Sequence, residues 1–149
     1  MKTRREFLQQ STLATIGATV LSNGISARET NQRIVLASRP TGSPTVEHFR
    51  LEQQAVPALE DGQILLRTLY LSLDPYMRGR MSAAESYAAP NELDAVMGGG
   101  TVSQVEESHN ENFSAGDLVL SYSGWQEYEV SDGRGVSKLD PRISRPTYA

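Results

Sequence analysis

One phenol stands out among the side chains of this sequence that could donate or share a proton. Tyr76 lies in the run Tyr70-Leu71-Ser72-Leu73-Asp74-Pro75-Tyr76-Met77-Arg78-Gly79-Arg80-Met81. A tyrosine hydroxyl is neutral at pH 7, with an ordinary pKa of about 10, yet it donates a hydrogen bond. It is therefore a proton donor, set in a rigid turn at the end of a strand. Arg78 and Arg80 follow within one turn and add two cations. Asp74 is placed to cap a helical turn, its carboxylate accepting from free backbone N–H groups. Pro75 suits the first helical position, where the N–H it lacks is no loss. The same residues also read as a plain helix start, with the tyrosine packed underneath and both arginines solvated.

Other chemistries are excluded or weakly supported. The chain has no cysteine, so disulfides, thiolate nucleophiles and the usual ligands of structural zinc are absent. His48 and His109 are the only imidazoles. No acidic cluster lies near them at metal-ligand spacing, and they read as surface or turn histidines. Gly98-Gly99-Gly100 admits two readings, a bend or close backbone approach and a phosphate loop. The run lacks the GxGxxG spacing and no helical pattern follows it, which favours the bend. A net charge of −4 argues against a nucleic-acid surface, which normally shows as a basic patch.

The elements that would position Tyr76 come next. A length of 149 residues with 38% hydrophobic and 21% charged content suggests one globular domain. The first 27 residues read as an address rather than as fold. Thr3-Arg4-Arg5-Glu6-Phe7-Leu8-Gln9 resembles the twin-arginine export motif, an apolar stretch runs from Leu13 to Leu21, and Ile25-Ser26-Ala27 offers a cleavage site. Removal after Ala27 would leave a periplasmic protein. The alternative is an amphipathic helix docked on a cytoplasmic domain. The apolar stretch is too short for a stable membrane span.

From residue 28 the pattern is that of short strands between turns. Gln32 to Ala37 reads as a strand ending in the loop Arg39-Pro40-Thr41-Gly42-Ser43-Pro44. Val46 to Val56 alternates Phe49 and Leu51 with polar neighbours and reads as half-buried. Gln63 to Leu73 is apolar on both faces, which predicts a central strand, and it delivers the Asp74-Pro75-Tyr76 turn. Ser82 to Asp94 reads as a long loop and Val96 to Val105 as a strand. Leu118 to Tyr122, Gln126 to Val130 and Val136 to Leu139 follow as further strands, with Ser123-Gly124-Trp125 turning between the first two. Such spacing predicts a small barrel or sandwich.

The order of these signals resembles the N-terminal, GroES-like domain of the zinc-independent medium-chain dehydrogenase/reductases, in the leukotriene hydroxydehydrogenase, prostaglandin reductase and curcumin reductase group. The resemblance rests on Ile34-Val35-Leu36-Ala37-Ser38-Arg39-Pro40, Leu71 to Met81, Gly98-Gly99-Gly100-Thr101-Val102, Gly116-Asp117-Leu118-Val119 and Tyr122-Ser123-Gly124-Trp125-Gln126-Glu127-Tyr128. It implies a mainly β fold, a GroES-like small β-barrel with short helical turns. It also implies reduction by NADPH of the carbon–carbon double bond of an α,β-unsaturated ketone or aldehyde. On that resemblance Tyr76 is the donor or positioner at the carbonyl oxygen, and Met77 and Trp125 are apolar walls that exclude water. Trp125 reads alternatively as a core or rim aromatic.

In the family the cofactor is held by a Rossmann-type domain with a glycine-rich phosphate turn. No such motif occurs before Ala149. The expectation is an incomplete two-domain enzyme, without tight NADPH binding or turnover by these residues alone. The competing expectation is a stand-alone exported β-domain used for binding or assembly. The sequence specifies neither the oligomeric state nor which enone is reduced.

Overall fold

The computed structural model of the chain describes residues 30–84, 88–140 and 142. The export signal expected over residues 1–27 lies outside them. Among the described residues seven strands form two antiparallel sheets. Strand β1 (Thr30–Leu36) pairs with β2 (Phe49–Ala55). The second sheet has the order β6-β3-β4-β5-β7, from β3 (Ile64–Leu71), β4 (Thr101–Ser108), β5 (Leu118–Ser121), β6 (Tyr128–Ser131) and β7 (Ser137–Lys138). A five-residue helix α1 (Tyr76–Arg80) is the only α-helix among the described residues. None of their helices is long and apolar enough to cross a membrane.

Strand β1 joins the two sheets. Its Ile34 N–H donates to the Trp125 carbonyl at 2.8 Å, and its Ile34 carbonyl accepts from Met97 N–H at 3.0 Å. Leu36 N–H reaches the Ala95 carbonyl at 3.1 Å, and the Gln32 carbonyl accepts from Glu127 N–H at 3.0 Å. These bonds draw the glycine segment and the Trp125 turn against the same strand. The mainly β, GroES-like class is therefore built as a barrel-like wrap around two small cores. Ile64, Leu66, Val105 and Val119 form one, with Phe113 and Val136 against it. Leu36, Met81 and Met97 form the other, covered by Phe49 and Trp125.

Between β4, β5 and β6 the packing is polar instead. Thr101, Ser103, Ser121 and Ser123 share a chain of hydroxyl bonds at 2.8–3.3 Å, which ends where Ser123 Oγ donates to Glu129 Oε2 at 2.6 Å. Ser103 is completely buried, so this satisfaction offsets the cost of burying hydroxyls.

The strand expectations hold with three corrections. Residues 46–48 form a 3-10 turn before β2, and Leu51 is 61% exposed. The reason is that β2 has only β1 as a neighbour, and its Phe49 end alone lies over the second core. Strand β3 is central, but it is buried only at Ile64, Leu65 and Leu66. Strand β6 flanks β3 only from Ile64 to Arg67, and the β4 pairing bulges between Thr68 and Tyr70, so Tyr70 and Leu73 face outward. Finally, the strand expected from Val96 starts at Thr101. Val96 makes only an isolated bridge to Val35, and the three glycines run between.

Candidate active site

Strand β3 carries the chain out of the barrel wall, and α1 begins after four intervening residues. Asp74 does not cap it with its carboxylate. Its backbone carbonyl accepts from Met77 N–H at 3.1 Å, and the Pro75 carbonyl accepts from Arg78 N–H at 3.1 Å. Pro75 stands at the cap position with φ −57°. Its ring fixes the helical angle, so the turn closes through the backbone alone. Arg78 then ties α1 to the 40–42 loop, donating to the carbonyls of Pro40 and Gly42 at 2.8–3.1 Å.

This turn presents the side chain of Tyr76 at the surface, half-buried. Its hydroxyl lies 2.9 Å from that of Tyr122, at the end of β5. Arg80, one helical turn on, donates from Nη1 to the Tyr122 hydroxyl at 2.7 Å and from Nε to the Ala89 carbonyl at 3.1 Å. Its guanidinium also sits 5.9 Å from the centre of the Tyr122 ring. Burial pushes the Tyr76 phenol up to about 12. It therefore stays protonated across the neutral range and keeps a proton to donate.

Met77 points the other way. It is 4% exposed, and its Cε would lie 2.9 Å from a Cβ placed on Gly99, with Trp125 Cδ1 at 3.5 Å from the same point. Met77 and Trp125 thus meet over Gly99, beneath the Tyr76 turn. Trp125 is half-buried and stacks on Phe49 with ring centres 5.5 Å apart. Its Nε1 is buried without a hydrogen-bond partner among the described residues.

The glycine run serves close approach. Tyr122 and Arg80 lie over Gly98, and Leu71 and Met77 lie over Gly99. Over Gly98 and Gly99 the space a phosphate would need is filled by the chain's own side chains, so these two residues do not fit the diphosphate of a dinucleotide. Buried Asn91 fixes the segment, donating to the Val96 carbonyl at 3.0 Å and accepting from Gly98 N–H at 3.2 Å. Two cavities, of about 360 and 330 Å³, lie elsewhere, around Val56, Pro57, Leu65 and Tyr128. Tyr76 instead occupies an open face, with exposed Leu73 just before it in sequence and exposed Tyr122 bonded to its hydroxyl.

All three residues singled out from the sequence thus fall in one region, Tyr76 at its surface and Met77 with Trp125 as its floor. Tyr122 was missed, and one signal existed for it: an aromatic ending a strand just before a Ser-Gly turn. Asn91 carried no signal, since its partners come from a loop.

Residues 32–139 match a family described as the N-terminal domain of oxidoreductase. The chain is 52% identical over 122 residues to the NADPH-dependent curcumin reductase of Escherichia coli (strain K12), covering 82% of this chain and 35% of that protein. It is 41% identical over 98 residues to prostaglandin reductase 1 of Rattus norvegicus, covering 66% and 28%. Among solved structures, CurA from Vibrio vulnificus superposes with a TM-score of 0.75 at 56% identity, covering 79% of this chain and 35% of that one. The chain thus spans about a third of the length of these relatives.

Proposed function

The chain belongs to the oxidoreductase N-terminal domain family, in the medium-chain dehydrogenase/reductase group of the curcumin and prostaglandin reductases, and on that premise we propose that it is the substrate-side domain of an NADPH-dependent enone reductase. The reaction is reduction of the carbon–carbon double bond of an α,β-unsaturated ketone or aldehyde. The observation that carries this reading is the neutral Tyr76 phenol, presented on an open face at the exit of β3 and anchored by Tyr122 at 2.9 Å.

Hydride addition to the β-carbon of an enone builds negative charge on its carbonyl oxygen. A preorganised donor aimed at that oxygen acts where charge develops, which is where catalysis gains most. Tyr76 supplies this donor. Met77 and Trp125 form the apolar floor beneath it, against which the carbon skeleton of the enone would pack and shed water. When bound, NADPH supplies the hydride. Gly98 and Gly99 offer its diphosphate no seat, and its main anchor is assigned to the length of the relatives that this chain does not match.

The test has two parts, both read as loss of NADPH absorbance with an enone. A polypeptide of these 149 residues alone is expected to show no turnover and no micromolar NADPH binding. The same residues, replacing the matching segment of the Escherichia coli curcumin reductase, are expected to reduce the enone. Micromolar NADPH affinity of the isolated polypeptide would falsify the division of labour; a folded hybrid that leaves enones untouched would refute the substrate-side reading.

A further inference from the structure

Resting on the reductase reading above, we propose that Tyr122 and Arg80 are positioning residues that aim the Tyr76 hydroxyl outward at the substrate oxygen through a directed relay, Arg80 to Tyr122 to Tyr76. The direction follows from who can donate. An arginine has five N–H donors and no acceptor, so at 2.7 Å the Tyr122 oxygen can only accept from Arg80 Nη1. A hydroxyl that accepts from a cation is polarised into a stronger donor. The bond of 2.9 Å between the phenols needs one donor, and Tyr122 is the one so polarised. Tyr76 then accepts, and its own proton is left to point away from the pair.

Two further features hold the relay in register. The Arg80 guanidinium lies against the Tyr122 ring at 5.9 Å, a favourable cation–π placement. Gly98 supplies the floor: a Cβ there would come within 3.1 Å of Tyr122 Cε1 and 3.3 Å of Arg80 Nη1. No carboxylate is bonded to Arg80 among the described residues. Its charge therefore acts through two hydroxyls on the oxygen that turns negative during reduction, without Arg80 or Tyr122 touching substrate.

The relay is tested first without catalysis, in the full chain carrying ¹³Cζ-labelled tyrosine. Tyr122→Phe and Arg80→Met should each shift the Tyr76 resonance at neutral pH. In the Tyr122→Phe background, Arg80→Met should add nothing. A Tyr76 signal unmoved by Arg80→Met in a folded chain overturns the relay. Gly98→Ala is the second variant, since it displaces the pair without deleting any hydroxyl; it too should shift the Tyr76 resonance, and Arg80→Lys should retain part of the wild-type signal that Arg80→Met loses.

The second arm uses the hybrid reductase. Tyr122→Phe and Arg80→Met should each lower kcat about tenfold with KM unchanged, a fraction of the ~10²–10³ that loss of a direct donor costs. Neither should lower it further in a Tyr76→Phe background, because residues acting through one group are not additive. Fully additive losses overturn the relay. Loss of all enone reduction in the unmutated hybrid would instead refute the reductase reading, while the resonance shifts report separately on the pair.

Discussion

Gly124→Ala isolates the contact that seats Trp125 against the glycine segment. Gly124 has φ +73° and packs so closely that a Cβ would collide with the Met97 carbonyl oxygen. That oxygen accepts from Trp125 N–H at 2.8 Å, and Gly124 N–H donates to the Gly99 carbonyl at 3.1 Å. The left-handed conformation costs an L side chain about 1–2 kcal/mol. Displacing the Met97 carbonyl breaks at least one bond in a half-buried seam, which adds about 1–3 kcal/mol. The sum, about 2–5 kcal/mol, corresponds to a fall in Tm of about 8–20 °C at roughly 4 °C per kcal/mol for a domain of this size. Gly116 has φ +93° but nothing within 4 Å of its Cβ, so Gly116→Ala should pay the conformational part alone, about 1–2 kcal/mol. Gly100 has neither constraint, and Gly100→Ala should lie within about 0.5 kcal/mol of wild type. Thermal melts followed by circular dichroism and by the fluorescence of the single tryptophan give the three values. Equal losses for Gly124→Ala and Gly116→Ala would show that the Met97 approach is not there, and the placement of Trp125 would fall with it.

Four other outcomes follow. The Tyr76 phenol should ionise near pH 12, so the alkaline absorbance titration of wild type minus Tyr76→Phe should show a step there and none at the ordinary 10; a step near 10 contradicts the burial. Lys138 and the Ser114 N–H hold the Asp117 carboxyl below its ordinary value, so its folded-state pKa is depressed and its contribution to stability is present above the unfolded value and lost as pH falls through the lower one. Asp117→Asn should therefore narrow the gap to wild type in urea unfolding below pH 3.8, and a gap constant down to strong acid would exclude the pairing. Leu66→Ala, at a fully buried position, should cost about 2–5 kcal/mol, whereas Leu51→Ala, at an exposed one, should cost under about 0.5 kcal/mol. For the first 27 residues we propose twin-arginine export, and Arg4→Lys with Arg5→Lys should hold a fused reporter in the cytoplasm; unchanged export would remove that reading.

Strand positions were legible because alternation survives in single sequences: β1, β3, β5 and β6 lie within two residues of where the pattern puts them. Burial along β3 was not, because it depends on where β6 stops. The backbone closure at Asp74 was hidden for a similar reason. Asp-Pro reads as a side-chain cap, yet here only the carbonyl is used, and nothing local distinguishes the two. Gly98 to Gly100 was readable as close approach, but the side chains that approach come from α1 and β5. The pairing of Tyr76 with Tyr122 joins residues 46 positions apart, and no local spacing encodes such a meeting. Tyr76, Met77 and Trp125 were found because their short motifs resemble those of a family.

The central claim is that the hydroxyl of Tyr76 carries the donor for the carbonyl oxygen. It is tested most directly by Tyr76→Phe in the hybrid reductase, which deletes one oxygen and leaves the ring in place. The account predicts a kcat lower by about 10²–10³, the usual loss for one oxyanion donor, with NADPH affinity unchanged. A kcat within twofold of the unmutated enzyme would contradict it.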